Sequence, residues 1–254
     1  MTVTTSTTTA KPGRAAQGGP PLPLVAGVFV ALFLASLSVS SVIAGHTFPS
    51  PFAAGGRIQA YFAAERDAVR IGAALQFASA IPLAVFACAV HARLHQLGIR
   101  VAGATIALAG GLLASAFGTL SALFQWVLSR PATTADPAVV RVLHDLAFLT
   151  GGPAYVAAYG LLLAGIAVPA LIADLLPRWL AIAGLALAVV AEVSTLVLLA
   201  EPFGVGLPIA RFGGMAWLIA AAVLLPATRT PVAARAPATV QRAAGDSDSR
   251  ADLT

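Results

Sequence analysis

Charge is what this sequence lacks most. Asp, Glu, Lys and Arg make up 10% of its residues, where a soluble domain carries about 25%. The deficit is concentrated in long uncharged runs, which build a bilayer-spanning surface rather than a water-facing one. Cysteine is almost missing too. Cys88 stands alone inside an apolar run, so no disulfide can form within the chain and no cysteine-based metal cluster can be assembled. Its expected role is packing. Lysine is reduced to Lys11, and arginine supplies the remaining cationic charge.

The sequence also lacks the common chemical motifs. It contains no HExxH, GxSxG, P-loop or GxGxxG, which leaves hydrolases and nucleotide enzymes without support. The four histidines, His46, His91, His95 and His144, fall at the ends of apolar runs. A b-type haem needs axial histidines within membrane helices, so no haem is expected. His91 and His95 share a helix face at i,i+4 spacing, but no carboxylate is near in sequence, and they read as interfacial residues. No metal and no cofactor are expected. The net charge of +5 sits in short loops and tails, where membrane orientation accounts for it without nucleic acid as a partner. No internal repeat of 20–50 residues is visible.

What remains is hydrophobic: 59% of the chain. Six runs reach membrane-spanning length, at residues 22–44, 68–91, 101–128, 144–172, 177–200 and 207–225. The predicted fold is all-α, a polytopic transmembrane helical bundle of about six spans occupying residues 22–226, with disordered tails at 1–21 and 227–254. The first run exceeds the roughly 7–15 residues of a signal-peptide core and is read as a retained helix. Between the first two spans, residues 58–64 are expected to form a short interfacial helix with Tyr61 and Phe62 at headgroup depth. Pro82 is expected to kink the second span. In the third, Gly103, Ala107, Gly111, Ser115 and Thr119 recur every four residues and predict close helix packing. Gly151-Gly152-Pro153 is expected to bend the fourth near its start.

A few polar residues interrupt these runs, and intramembrane polar groups mark bundle interiors and functional sites. Glu192 lies eight residues before Ala200, or roughly 12 Å of helix. It must be protonated or find a donor. Thr195 follows one turn on. In the fourth span Asp145, Gly152, Tyr155 and Tyr159 fall on one broad face. Gln76 lies inside the second span, Gln125 near the end of the third, and Arg70, His144 and Arg211 near span starts.

With six spans both termini lie on one side. That side holds Lys11, Arg14, Arg93, Arg100, Arg178, Arg229 and Arg235 in short loops and tails nearly free of acids, so the positive-inside rule puts both termini in the cytoplasm. The intramembrane polar residues then gather in the outer halves of the helices. An outward-facing polar pocket over an apolar plug is expected, with Glu192, Thr195, Asp145, Tyr155, Tyr159, Gln76, Arg70 and Arg211 as its candidate residues. Arg70 or Arg211 is the expected partner of Glu192 or Asp145. The competing reading makes the span-end residues ordinary interface anchors.

Three segments, GGPAYVAAYGLLLAGIAVPA (151–170), LPRWLAIAGLALAVVAE (176–192) and RFGGMAWLIAAAVLLP (211–226), resemble those of bacterial six-helix inner-membrane proteins grouped as a domain of unknown function. The resemblance implies a six-helix membrane fold and no specific activity. The expectation is therefore a non-enzymatic multi-pass protein of the bacterial cytoplasmic membrane. Its partner is the lipid bilayer, with a small ligand or a second copy as further possible partners and a structural, sensory or ligand-binding role. The rival is a small transporter or proton-coupled carrier using Glu192.

Overall fold

The computed structural model describes residues 20–227. The expected disordered tails lie outside the described residues, apart from their innermost positions. Helix α1 (Leu22–Ala44) follows Pro21 and has a second proline in its first turn, where a missing N–H costs nothing. It ends at Gly45, whose φ of +71° is left-handed and suits a residue without Cβ. There follow α2 (Gly55–Ala64), α3 (Arg66–Gln96), α4 (Ala102–Leu128) and a single turn, α5 (Pro131–Thr134). Next come α6 (Pro137–Leu149), a π turn (Thr150–Ala154) and α7 (Tyr155–Ile172). The chain closes with α8 (Arg178–Ser194), two 3-10 turns (Thr195–Leu198 and Glu201–Val205) and α9 (Gly206–Leu224). No strand occurs among the described residues.

Six helical segments among the described residues are long and apolar enough to cross a bilayer, and the protein is a multi-pass, all-α membrane bundle. Large apolar side chains, among them Leu24, Ile81, Val189 and Val223, stand exposed around its outside. In lipid that surface has no reason to be charged.

The fourth segment, Pro137–Ile172, begins before the expected residue 144. Asp136 is the reason: its carboxylate accepts the Ala138 N–H at 2.8 Å, and Pro137 occupies the first helical position, a strong start signal. The expected bend at Gly151-Gly152-Pro153 is a π turn, made where Pro153 has no N–H to donate. Helix α3 runs unbroken through Pro82. The fifth segment tightens into a 3-10 turn after Ser194, short of the regular helix expected to residue 200.

Neighbours in sequence are neighbours in space. Helix α3 packs between α1 and α4, α4 between α3 and α7, and α9 closes the ring by touching both α8 and α1. The α6–α7 rod is the innermost: 67% of its apolar window is buried, against 39–44% in the other five segments. Close approach explains that. A Cβ at Gly110 would stand 2.5 Å from the Leu162 nitrogen, and one at Gly165 would strike the Ala107 nitrogen. The small-residue row expected in α4 divides between two partners. Gly103 and Ala107 meet α7, while Gly111 meets Ala87 of α3 and the Ser115 hydroxyl donates to the Ala80 carbonyl at 2.7 Å. Trp217 ties α9 to α8 by donating its indole N–H to the Leu180 carbonyl at 2.7 Å, over Gly184.

Candidate functional site

At the end of the bundle where α1 finishes and α9 begins, the helices diverge around a cavity of about 570 Å³. Its volume is in the roughly 300–1,000 Å³ range of small-molecule sites. Gln76 of α3, Gln125 of α4, His144 of α6 and Arg211 of α9 line it, together with Ser36 and Ser40 of α1. The rest of the wall is largely apolar: Phe33, Leu37, Phe148 and Phe212 from the helices, with Phe48 and Phe52 from the segment joining α1 to α2.

That segment covers one side of the cavity, and aromatic packing holds it. Phe48 stacks on His144 at 5.7 Å and meets Tyr61 and Phe62 edge-on. Ile58, Tyr61 and Phe62 of α2 are buried with Leu128 and Val140, so the expected interfacial helix is a packed cap. Burial, and then the Glu65 carboxylate, push the Tyr61 phenol above its usual range. Arg141 donates to the Ala53 carbonyl at 3.3 Å and to Asp145 at 2.9 Å, fastening the cap to α6.

The polar side chains differ in what they leave free. Ser36, Ser40 and Ser121 each donate to a helix carbonyl, of Phe33, Ser36 and Ala147 respectively. Gln125 donates to the Gln76 carbonyl oxygen at 3.0 Å, which leaves the Gln76 amide N–H₂ free. His144 leaves Nδ1 buried without a hydrogen-bond partner, and Arg211 is unsatisfied too. Its Nε is buried without a hydrogen-bond partner, and it belongs to none of the ion pairs among the described residues, His46–Glu65, Arg70–Asp67 and Arg141–Asp145. Its guanidinium lies instead over the ring of Tyr155 at 4.6 Å and beside that of Phe33 at 5.4 Å. The residue is half-buried; withdrawing part of a cation from water without a counter-ion carries a cost, and cation–π contacts offset about 0.5–2 kcal/mol of it.

Arg211 is the floor. Beneath it a void of about 10 Å³, lined by Gln76, Ser79, Tyr155 and Arg211 among apolar residues, is about the size of one water. Below that, Tyr155 stacks on Tyr159 at 5.6 Å. Both hydroxyls are buried and unpartnered.

Of the eight residues singled out by sequence, Gln76 and Arg211 line the cavity, and Tyr155 and Tyr159 form the column under Arg211. The other four lie elsewhere. Arg70 pairs with Asp67 at 2.9 Å on an exposed first turn, and Asp145 pairs with Arg141. Neither meets Glu192, and the expected cross-pairing is replaced by these local i,i+3 and i,i+4 pairs. Glu192 stands exposed on α8, facing Gly160 of α7, and Thr195 donates to the Glu192 carbonyl at 2.6 Å. Sequence reasoning missed Ser36, Ser40 and the cap residues Phe48 and Phe52, though it had placed Tyr61 and Phe62 in a short helix. The serine run ending α1, opposite Gln76 in height, was the signal that pointed there.

His91, at the opposite end, bonds through Nδ1 to the Ala104 carbonyl at 2.9 Å, and His95 bonds to the His91 carbonyl at 3.0 Å. These contacts fasten the α3–α4 turn. Comparison with protein-family models, curated proteins and solved structures gives no match for this chain.

Proposed function

We propose that this chain is a non-enzymatic protein of a bacterial cytoplasmic membrane that binds a small amphiphilic ligand in an outward-facing pocket. The acid-free basic turn carrying Arg93 and Arg100 supports a cytoplasmic location for both termini. One observation carries the reading. The cavity joins a few strong hydrogen-bonding groups to a wall of phenylalanines, the composition of a ligand site rather than of a packing defect. The carrier reading rests on Glu192, and the cavity does not contain that residue.

The test uses the thiol chemistry that the sequence leaves open. In a Cys88→Ser background, Ser41→Cys places one thiol on the cavity wall. A membrane-impermeant maleimide is expected to label it from outside intact cells, and monododecanoylglycerol or dodecanoate is expected to slow labelling of the purified protein. Labelling only from the inside would reverse the orientation. Unchanged labelling with both amphiphiles would remove the binding function.

A further inference from the structure

Resting on that reading of the cavity as a ligand site, we infer that the ligand is an anion: an apolar chain bearing a carboxylate or phosphate headgroup, which Arg211 receives at the cavity floor. The counter-ion that Arg211 lacks is the starting point. Seven acids lie among the described residues: Glu65, Asp67, Asp136, Asp145, Asp174, Glu192 and Glu201. Three are in ion pairs elsewhere, and Asp136 caps α6. Glu192 is outside the cavity and Asp174 is in the turn between α7 and α8. Glu201 lines the cavity from the 3-10 turn before α9, exposed and unpaired with Arg211. No described residue neutralises the guanidinium.

The donors around it suit an anion. Three of the four wall serines, Ser36, Ser40 and Ser121, have spent their hydroxyl protons on helix carbonyls. Gln76 keeps its amide N–H₂ because Gln125 occupies its oxygen, and Gln76 and Arg211 border the same small void. A guanidinium and an amide donor converging below a phenylalanine wall offer an oxyanion two kinds of donor and offer a neutral alcohol little that is specific. The ring of Tyr155 under Arg211 holds the guanidinium plane in place without neutralising it.

The experiment places the protein, with the Ser41→Cys reporter and Cys88→Ser, in nanodiscs of neutral phosphatidylcholine. Dodecanoate, dodecyl phosphate and monododecanoylglycerol are then titrated against maleimide labelling. Both anions are expected to protect at concentrations about tenfold lower than the neutral ester, as befits hydrogen bonds to a charged group. In Arg211→Gln that preference is expected to vanish, while Arg211→Lys retains part of it. Equal protection by all three amphiphiles on the unsubstituted Arg211 background would overturn anion selection and leave the pocket standing. That comparison needs no Arg211 variant to fold. Protection by none would overturn the pocket itself. A preference that persists in Arg211→Gln would also overturn the assignment. Repeating the titration in phosphatidylglycerol nanodiscs separates the sources. Lost dodecanoate protection identifies a membrane lipid as the natural anion, and retained protection identifies a free amphiphile; both support the anionic headgroup.

Discussion

Arg211 has no counter-ion among the described residues. A half-buried cation without a counter-ion is a stability cost that an apolar residue of similar length removes. Arg211→Met is therefore expected to raise the thermal stability of the protein in neutral detergent, while abolishing the preference for anionic amphiphiles. A differential scanning measurement without anionic additives checks the first half. A fall in stability would mean that the contacts to Tyr155 and Phe33 outweigh the desolvation. Tyr61 gives a second prediction. Its folded phenol titrates above the ordinary value of about 10, so the unfolded chain loses its proton first. Stability of the cap is then intact below about pH 10 and falls as pH rises beyond it. Tyr61→Phe is expected to flatten that alkaline decline in a thermal-unfolding pH series.

At the scale of elements, the bundle depends on how near α4 comes to α7. Gly110→Ala puts a methyl 2.5 Å from a backbone nitrogen of α7, where neither side can turn away. A loss of about 1–3 kcal/mol is expected, with the same sign for Gly165→Ala. Gly27→Ala is the control. Nothing lies within 4 Å of that added carbon, so helix propensity alone acts and stability is expected to rise by up to about 1 kcal/mol. Unfolding in mixed micelles reads all three. The row of small residues in α4 announced close packing, but it could not say that two helices would share it. Spacing shows which residues line up along a helix; the rotation of the helix among its neighbours depends on which facing surfaces fit. The early start of α6 was readable, because Asp136-Pro137 is a capping signal. The apolar tally that placed the span at 144 overlooked it.

For the whole molecule, the cavity and Glu192 are separate features. Glu192→Gln is expected to leave amphiphile protection of the Ser41→Cys reporter unchanged within about twofold, since local contacts at separated sites act independently. A large loss would connect α8 to the cavity and restore interest in the carrier reading. The amino-acid sequence alone determined that the fold is all-α and that six segments suit a bilayer. Hydropathy and length decide those points locally, residue by residue. Only the tertiary structure decided which polar side chains meet. It set Arg211 on Tyr155 and Gln125 on Gln76, closed the aromatic cap through Phe48 and His144, and turned Glu192 away from them all. Those pairings depend on the order and rotation of helices in the ring. Close contacts at Gly110, Gly165 and Gly184 set that order and rotation, and one-dimensional periodicity carries no record of them.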